Sequence, residues 1–165
     1  MTTNFPVRYI PNKLTRKDKQ KQIQMLKKSR KMYKKGKYYT RKQIPSFKNK
    51  KSNHITDAYK IYNIKNIKPN KELVEKTGCS LSALNQIVKK GEGAYFSSGS
   101  RPNQTAQSWG LARLASSITA GKAAAVDYSI IEKGCKHNKK AFILAKQARK
   151  KYKFGQSAIK KIAVK

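Results

Sequence analysis

A glycine-bearing segment between Ser97 and Trp109 gathers hydroxyl, amide and guanidinium groups that could bind an anion. Such a turn ahead of a helix N-terminus offers free backbone N–H groups, and the fork of Arg101 can donate two parallel hydrogen bonds to an oxyanion. The candidate anion-binding residues of this loop are Ser98, Ser100, Arg101, Asn103 and Gln104. The sequence lacks the GxxxxGK[ST] pattern of a Walker loop, so no nucleotide class follows from this segment.

The same loop also has a purely structural interpretation. Asn103 and Gln104 would then hydrogen-bond the backbone, and Trp109 would fill the core. Arg101 would pair with an acid, and the candidates are Asp127 and Glu132. A serine nucleophile would need a base, and both histidines lie far from the loop in sequence with no elbow motif. We therefore expect no catalytic residues, no metal and no cofactor, so the chain is not predicted to be an enzyme.

Residues 71–90 have the spacing of a helix–turn–helix. Gly78 would occupy the turn, where the chain commonly needs a left-handed backbone. The second helix would present Asn85 and Gln86, whose amides can bond the edge of adenine, and Lys89 and Lys90 would neutralise phosphates. The alternative interpretation is a simple helical hairpin with no role in binding DNA.

Lysine-rich segments near both ends interleave cations with aromatic rings. Lysine tracks phosphate, and tyrosine can stack on unpaired bases or cover an apolar patch of a partner. In the N-terminal segment the candidate nucleic-acid-binding residues are Lys34, Lys35, Lys37, Tyr38, Tyr39, Arg41 and Lys42. In the C-terminal segment they are Lys139, Lys140, Arg149, Lys150 and Lys151. The excess of Lys over Arg favours non-specific charge neutralisation over bidentate base recognition.

The charge that these segments carry is extreme and uneven. Forty Lys and Arg against seven Asp and Glu give a formal net charge of +33 over 165 residues. Residues 1–51 carry +17 and residues 135–165 carry +11, whereas residues 91–134 carry only +1. So much uncompensated charge requires a polyanion or an acidic partner, and it excludes an ordinary balanced enzyme as the first expectation.

Helix signals dominate the elements that must position these residues. Thr15 starts a predicted helix near 15–35, and further short helices follow, the second of the helix–turn–helix ending at Gly91. A glycine-rich loop over 91–104 comes next, then a helix from Thr105 to Gly121 and another from Ala123 to Lys133. The predicted fold is mainly α, a small multi-helix domain with a glycine-rich loop and basic, partly helical N- and C-terminal arms.

Three segments follow from the charge distribution. We expect a basic arm over 1–54, a near-neutral helical core domain over 55–134 and a basic helical tail over 135–165. One small core is expected to bury the apolar side chains of the central segment together. Its predicted members are Leu84, Ile87, Trp109, Leu114, Ile118, Val126 and Ile130.

Cysteine and apolar content restrict the class of protein further. Cys79 and Cys135, with two histidines, are too few for a disulfide framework or a zinc finger, so we expect buried thiols in a reducing compartment. The longest apolar runs fall short of the roughly 20 residues that span a bilayer, and the first residues lack the apolar region of a signal peptide. No membrane partner is expected.

Several stretches resemble a known family. The most specific is GAYFSSGSRPNQTAQSW over 93–109, and shorter ones lie at 8–11, 21–38, 46–48, 77–80, 112–118, 121–127 and 134–135. Over about residues 7–136 the chain resembles a domain of unknown function encoded by large double-stranded DNA viruses, including those of algae and amoebae. The resemblance implies a viral source, and it carries over no activity and no catalytic residues.

Three hypotheses for function follow. The first is a virion-associated basic structural protein that binds nucleic acid, expected to be DNA, largely non-specifically through its arms. The second is a minor capsid or cement protein whose arms bind acidic capsid subunits and become ordered on assembly. The third is a nucleic-acid-processing enzyme that uses the Ser97–Thr105 loop. The expected location is the virion, and the host nucleus or a cytoplasmic viral factory during infection. No small-molecule substrate is expected, and the oligomeric state stays open.

Overall fold

The computed structural model describes residues 2–165 and is mainly helical, which confirms the predicted fold class. Its α-helices are α1 (Arg16–Lys34), α2 (Asn53–Tyr62), α3 (Lys71–Thr77), α4 (Leu81–Ser97), α5 (Ala106–Ser117), α6 (Lys122–Val126), α7 (Tyr128–Gly134) and α8 (Lys140–Lys151). Two short strands, β1 (Thr3–Pro6) and β2 (Lys161–Val164), pair antiparallel. Within residues 2–165, every helix is too short or too polar to cross a lipid bilayer.

Side-chain caps explain where the helices of the first half begin. Thr15 accepts a hydrogen bond from the Asp18 N–H at 3.2 Å, and Asn70 accepts one from the Leu73 N–H at 2.8 Å. Ser52 caps α2 in the same way. These oxygens satisfy backbone donors that a helix leaves unpaired at its first turn. The helix start predicted at Thr15 is confirmed.

Helix α4 continues past its predicted end at Gly91 and reaches Ser97. Gly91 is a point of close approach between helices, because a β-carbon placed there would lie 2.6 Å from the α-carbon of Gly110 in α5. Gly91 therefore allows two helices to pack closely, although in the sequence a glycine at this position indicates the end of a helix. The predicted glycine-rich loop over 91–104 is correspondingly shorter and begins at Ser98.

The crossing at Gly91 gives a sharp test of packing. Replacing Gly91 by Ala should lower the free energy of unfolding by roughly 1–3 kcal/mol, because the new methyl group meets the Gly110 backbone, which cannot rotate away. Gly93 in the same helix is the matched control, since a β-carbon there meets nothing within 4 Å. Gly93→Ala should stabilise the protein by up to about 1 kcal/mol through helix propensity. Urea unfolding measures both, and equal effects of the two substitutions would refute the close approach.

The helix predicted over 123–133 is two helices, α6 and α7, which meet at Asp127. Asp127 is fully buried and departs from helical geometry between them. The preceding helix, α5, ends at Ser117 rather than at Gly121. Sequence periodicity does not detect such a break, because the short pieces on either side keep the same apolar spacing.

The chain forms two compact units that do not follow the three segments expected from charge. One unit, called unit 1, combines residues 2–50, 92–109 and 158–165, and the other, called unit 2, combines 51–91 and 110–157. The arms over 1–54 and 135–165 were expected to be separate from the core domain. They instead supply buried side chains, such as Leu26 in α1 and Ala145 in α8.

The core of unit 2 gathers apolar side chains from α2 through α8. Leu84, Ile87, Leu114 and Ile118 are buried there together, as predicted, and Ile130 packs against them while partly exposed. The members of the predicted core that lie elsewhere are Trp109 and Val126. Val126 is 46% exposed. Trp109 belongs to unit 1, where its ring contacts that of Tyr9 and packs against the buried cluster that also contains Phe5 and Leu26. Helical spacing alone assigned both to the wrong environment.

Unit 1 joins the beginning and the end of the chain. Phe5 of β1 is fully buried and lies opposite Ile162 of β2 in the antiparallel register. Farther along the chain, Ile44 is buried with Met25 of α1, so the segment after α1 is fixed to the helix. The backbone N–H of Ser46 donates to the Asp18 carboxylate at 3.0 Å, and hydrogen bonds from Ser46 lower the pKa of Asp18 below its ordinary value.

Cys79 and Cys135 form a disulfide, which corrects the expectation of two reduced thiols. The two residues face each other across a short antiparallel bridge. The Ser80 N–H donates to the Gly134 carbonyl at 2.7 Å, and the Lys136 N–H donates to the Gly78 carbonyl at 2.9 Å. The bridge fixes the α3–α4 turn to the end of α7. Two cysteines in a long chain suggested thiols because sequence does not reveal that residues 56 positions apart face each other.

Candidate nucleic-acid interface

A tight turn after α1 places an exposed tyrosine on the surface of unit 1. The N–H of Gly36 donates to the Tyr33 carbonyl, and that of Lys37 donates to the Met32 carbonyl. Gly36 has a φ of 73°, a left-handed conformation that glycine adopts without strain. The chain reverses there, and Tyr38 returns to the end of α1.

Three aromatic rings meet at this position, and we call Tyr33, Tyr38 and Phe96 the aromatic platform. The ring centroids of Tyr38 and Phe96 are 5.0 Å apart, and those of Tyr38 and Tyr33 are 6.2 Å apart. Tyr38 is nevertheless 70% exposed and Tyr33 is 40% exposed. Large aromatic side chains usually bury most of their area, so an exposed pair supported by a third ring is a candidate contact surface.

Lysines lie next to Tyr33 and Tyr38 in the sequence, and the same stretch of chain contains no acid. Lys34, Lys35 and Lys37 are all exposed. From Lys19 to Lys50 the sequence contains thirteen Lys or Arg and no Asp or Glu. The combination of exposed rings and unneutralised cations is typical of proteins that bind single-stranded nucleic acids.

Tyr39, Arg41 and Lys42 differ in their surroundings, although all three were predicted to bind nucleic acid. Lys42 is exposed, and Tyr39 is partly buried beneath the Lys28 ammonium, which lies 4.5 Å from the ring centroid. Arg41 is only 8% exposed, so its guanidinium is not presented to a ligand. Its cationic group serves the interior of unit 1 instead of a phosphate.

Arg41 holds unit 1 together through hydrogen bonds and ring stacking. Its guanidinium donates to Ser29 Oγ, the Tyr95 carbonyl and Ser100 Oγ at 2.8–2.9 Å, and it lies 3.8 Å from the centroid of the Tyr95 ring. Its backbone N–H donates to the Tyr95 hydroxyl. Burial lowers the pKa of Arg41 from its ordinary value. Weak hydration of the guanidinium suits such a buried, stacked position better than a lysine ammonium would.

Most of the predicted anion-binding loop is committed to internal hydrogen bonds. Ser100 Oγ accepts from Arg41, and Gln104 Oε1 accepts from Ser108 Oγ at 2.7 Å. Asn103 fixes the preceding segment, since Oδ1 accepts from the Ile44 N–H and Nδ2 donates to the Ile44 and Phe47 carbonyls. These three side chains therefore have the structural role that the alternative interpretation assigned to this loop.

Ser98 and Arg101 are the two loop candidates whose side chains are exposed. Burial of part of its side chain and the neighbouring charge of Arg8 lower the pKa of Arg101 from its ordinary value. The alternative interpretation of the loop assigned Asp127 or Glu132 to Arg101 as its partner. Asp127 instead binds Arg113 and Lys90.

In unit 2, the predicted helix–turn–helix residues form α3, a left-handed Gly78 with a φ of 77°, and the first part of α4. Leu73 and Leu84 are buried, so one side of each helix faces the core. Asn85, Gln86, Lys89 and Lys90 are exposed, as binding would require. Lys90 Nζ lies 3.0 Å from the Asp127 carboxylate, so its charge is already paired. Of the two lysines predicted to neutralise phosphates here, Lys89 is the better candidate.

The basic residues around α8 are held by contacts within unit 2. The methylenes of Lys139 cover Gly78, and Lys140 Nζ donates to the Ile61 carbonyl. The Arg149 guanidinium lies 4.5 Å from the Tyr128 ring centroid. Lys150 and Lys151 are exposed, so their charge faces solvent. The buried side of the helix carries alanines and Phe142, and α8 is therefore a core helix with a basic outer face.

A family model described as "Family of unknown function (DUF5824)" matches residues 6–140. The chain belongs to the DUF5824 family. Neither a curated protein nor a solved structure matches it. The residues that match the DUF5824 model contain the aromatic platform, the loop after α4, the helix–turn–helix and both cysteines, whereas Arg149, Lys150 and Lys151 follow the matched region.

Both units of this DUF5824 protein are basic. Unit 1 contains 21 Lys or Arg and two acids, and unit 2 contains 19 and five. Across residues 2–165, no three His, Cys, Asp or Glu side chains are arranged to hold a metal ion. The platform of unit 1 combines exposed cations with two exposed tyrosines and a third supporting ring, which makes it the leading candidate interface.

Proposed function

We propose that this protein is a viral, virion-associated basic structural protein that binds nucleic acid, and DNA in particular, largely without sequence specificity. The observation that carries the proposal is the acid-free stretch over 19–50, with its exposed lysines beside the exposed ring of Tyr38. The viral source rests on the resemblance of the 93–109 segment to proteins of large DNA viruses. Action in the virion, and in the nucleus or viral factory during infection, belongs to the same proposal.

Arginines and lysines have different roles in this structure, and the difference supports non-specific binding. Arg41 and Arg113 are engaged in hydrogen bonds within the fold, and Arg30 donates to the Asn4 and Ser98 carbonyls. Lysines supply 33 of the 40 cations and cover the surface. An ammonium group acts as a point charge on phosphate and does not read bases through a bidentate fork. Affinity should therefore come mainly from released counterions.

Salt dependence tests the proposal. If about six or more phosphates are contacted, affinity for a 30-base-pair duplex should fall by roughly 10³-fold between 50 and 200 mM NaCl, with little effect of sequence. Filter binding or fluorescence anisotropy measures this. Affinity that stays flat over that range would refute the proposal.

A triple substitution identifies the surface that binds. Replacing Lys34, Lys35 and Lys37 by Gln removes three exposed cations beside Tyr38, and it should lower the slope of log K against log [salt] by about 2–3. The control replaces three exposed lysines of unit 2, namely Lys65, Lys68 and Lys71. The control removes the same charge and should change the slope less. Equal changes would place binding outside the proposed surface.

Two observations favour nucleic-acid binding over the two other hypotheses. Capsid binding by arms that become ordered on assembly required free arms, whereas residues 16–34 form α1 and residues 140–151 form α8. An enzyme built on the Ser97–Thr105 loop required free polar side chains, whereas Ser100, Asn103 and Gln104 bond within the protein. Mass spectrometry of virions after separation of shell and core would discriminate a genome-bound protein from a capsid protein.

A further inference from the structure

We infer that the aromatic platform of Tyr33, Tyr38 and Phe96 binds the faces of unpaired bases, so that the protein prefers single-stranded nucleic acid to duplex. This inference rests on the proposed function and names its substrate more closely. The juxtaposition that supports it is an exposed tyrosine ring, backed by two further rings, within a surface of exposed lysines.

The platform is held in place before any ligand arrives. Tyr33 lies on α1, and the backbone hydrogen bonds of Gly36 and Lys37 to the last turn of α1 fix the return of the chain to Tyr38. Phe96 lies on α4 next to Tyr95, which is fully buried and stacked with Arg41. The Phe96 carbonyl also accepts a hydrogen bond from Ser29 Oγ of α1. A rigid ring loses little conformational freedom on binding, which favours affinity.

The outer ring has the exposure that stacking requires. Tyr38 contacts Phe96 at a tilt of 52° and Tyr33 at a tilt of 51°, and it still leaves 70% of its surface open to solvent. A base that stacks on Tyr38 would bring its phosphates next to Lys34, Lys35 and Lys37, because these residues flank the turn. The Tyr38 ring would thus contact the base of a nucleotide, and the lysines would contact its phosphate.

Duplex nucleic acid does not offer the complementary surface. Paired bases are stacked on one another, so their faces are closed to a side chain, and only their edges and the phosphates are presented in the grooves. Lysines would bind both forms, whereas Tyr38 would add affinity only for unpaired bases. The inference therefore predicts an effect of Tyr38 that depends on strandedness.

Variants of Tyr38 test this directly. Fluorescence anisotropy would compare wild type, Tyr38→Ala and Tyr38→Phe on a labelled 15-nucleotide thymidine oligomer and on a 15-base-pair duplex. Tyr38→Ala should weaken single-strand binding about tenfold or more and leave duplex binding within about twofold, because stacking on one base is lost. Tyr38→Phe should retain wild-type affinity, since the ring face is kept. Phe154→Ala is the comparison variant: Phe154 is 62% exposed, lies in unit 2 and contacts Arg149, so an equal loss of single-strand binding in this variant would place base stacking outside the platform.

The possible outcomes separate the inference from the proposed function. Suppose that the wild type binds both ligands, and that Tyr38→Ala weakens binding to both equally or to neither. This result would overturn base stacking on the platform and would leave the proposed non-specific binding intact. Absence of salt-sensitive binding to either ligand would overturn both. Quenching of a 2-aminopurine base in the oligomer by wild type and Tyr38→Phe, but not by Tyr38→Ala, is the stacking signature expected here.

Discussion

Removing the Cys79–Cys135 disulfide by the double substitution to Ala is expected to lower the free energy of unfolding by roughly 2–4 kcal/mol. The two residues are 56 positions apart, so the crosslink restricts a long loop of the unfolded chain. Both side chains are buried in the core of unit 2, at 1% and 5% exposure, and the substitution also removes packing there. Urea unfolding followed by circular dichroism measures the change.

Reduction of the wild-type protein provides the matched control. A dithiol reductant should shift the wild-type unfolding midpoint towards that of the double variant and should leave the variant unchanged. Amide exchange should accelerate first at Ser80 and Lys136, whose N–H groups form the bridge beside the disulfide. If the reductant frees both thiols and the unfolding midpoint of the wild type does not change, the disulfide does not stabilise the protein.

Local chemistry explains which elements the sequence predicts. Thr15 and Asn70 start helices because their side chains bond backbone donors three residues away, and Gly78 ends α3 because it adopts a left-handed backbone. Each of these signals lies within a few residues of its effect. The helix predicted near 15–35 and the turn before α4 are accordingly found where expected.

Long-range contacts explain what the sequence does not predict. Gly91 resembles a helix stop until its approach to Gly110 is known, and the cysteines resemble separate thiols until the bridge forms. Lysine-rich composition suggested that residues 1–54 lie outside any core, although α1 turns an apolar side of Met25 and Leu26 inward. A high net charge describes the surface of such a segment and says little about its buried side.

The same contrast between local signals and long-range contacts explains which residues of the candidate interface the sequence predicts. Lys34, Lys35, Lys37 and Tyr38 are exposed, as binding at the surface would require, and their charges and rings are visible in the sequence. That they bind nucleic acid stays a prediction. Phe96 was missed as a member of the platform, since its contact with Tyr38 joins positions 58 residues apart. Arg41 was assigned to the surface by its basic neighbours, and only its hydrogen bonds show that it is internal.

The buried carboxylate of Asp127 is the most concentrated electrostatic feature of unit 2. Arg113 donates to both of its oxygens at 2.7 Å, in a bidentate arrangement, and Lys90 Nζ lies 3.0 Å from Oδ1. Asp127 is fully buried, Arg113 is 22% exposed and Lys90 is 47% exposed. The acid thus joins the break between α6 and α7 to α5 and α4. In a chain of net charge +33, few acids are available to replace it.

Asp127→Ala should therefore lower the free energy of unfolding by roughly 3–5 kcal/mol, because it leaves the Arg113 guanidinium partly buried without a counterion. Glu132→Ala is the control, since it makes the same change in net charge at an exposed position of α7 and should cost within about 0.5 kcal/mol. Removing Arg113 as well should cost less than the sum of the two single substitutions, because the unpaired charge disappears with it. Urea unfolding of the single and double variants measures this coupling. Strict additivity, or an Asp127→Ala effect as small as that of Glu132→Ala, would show that the buried pair does not hold these helices together.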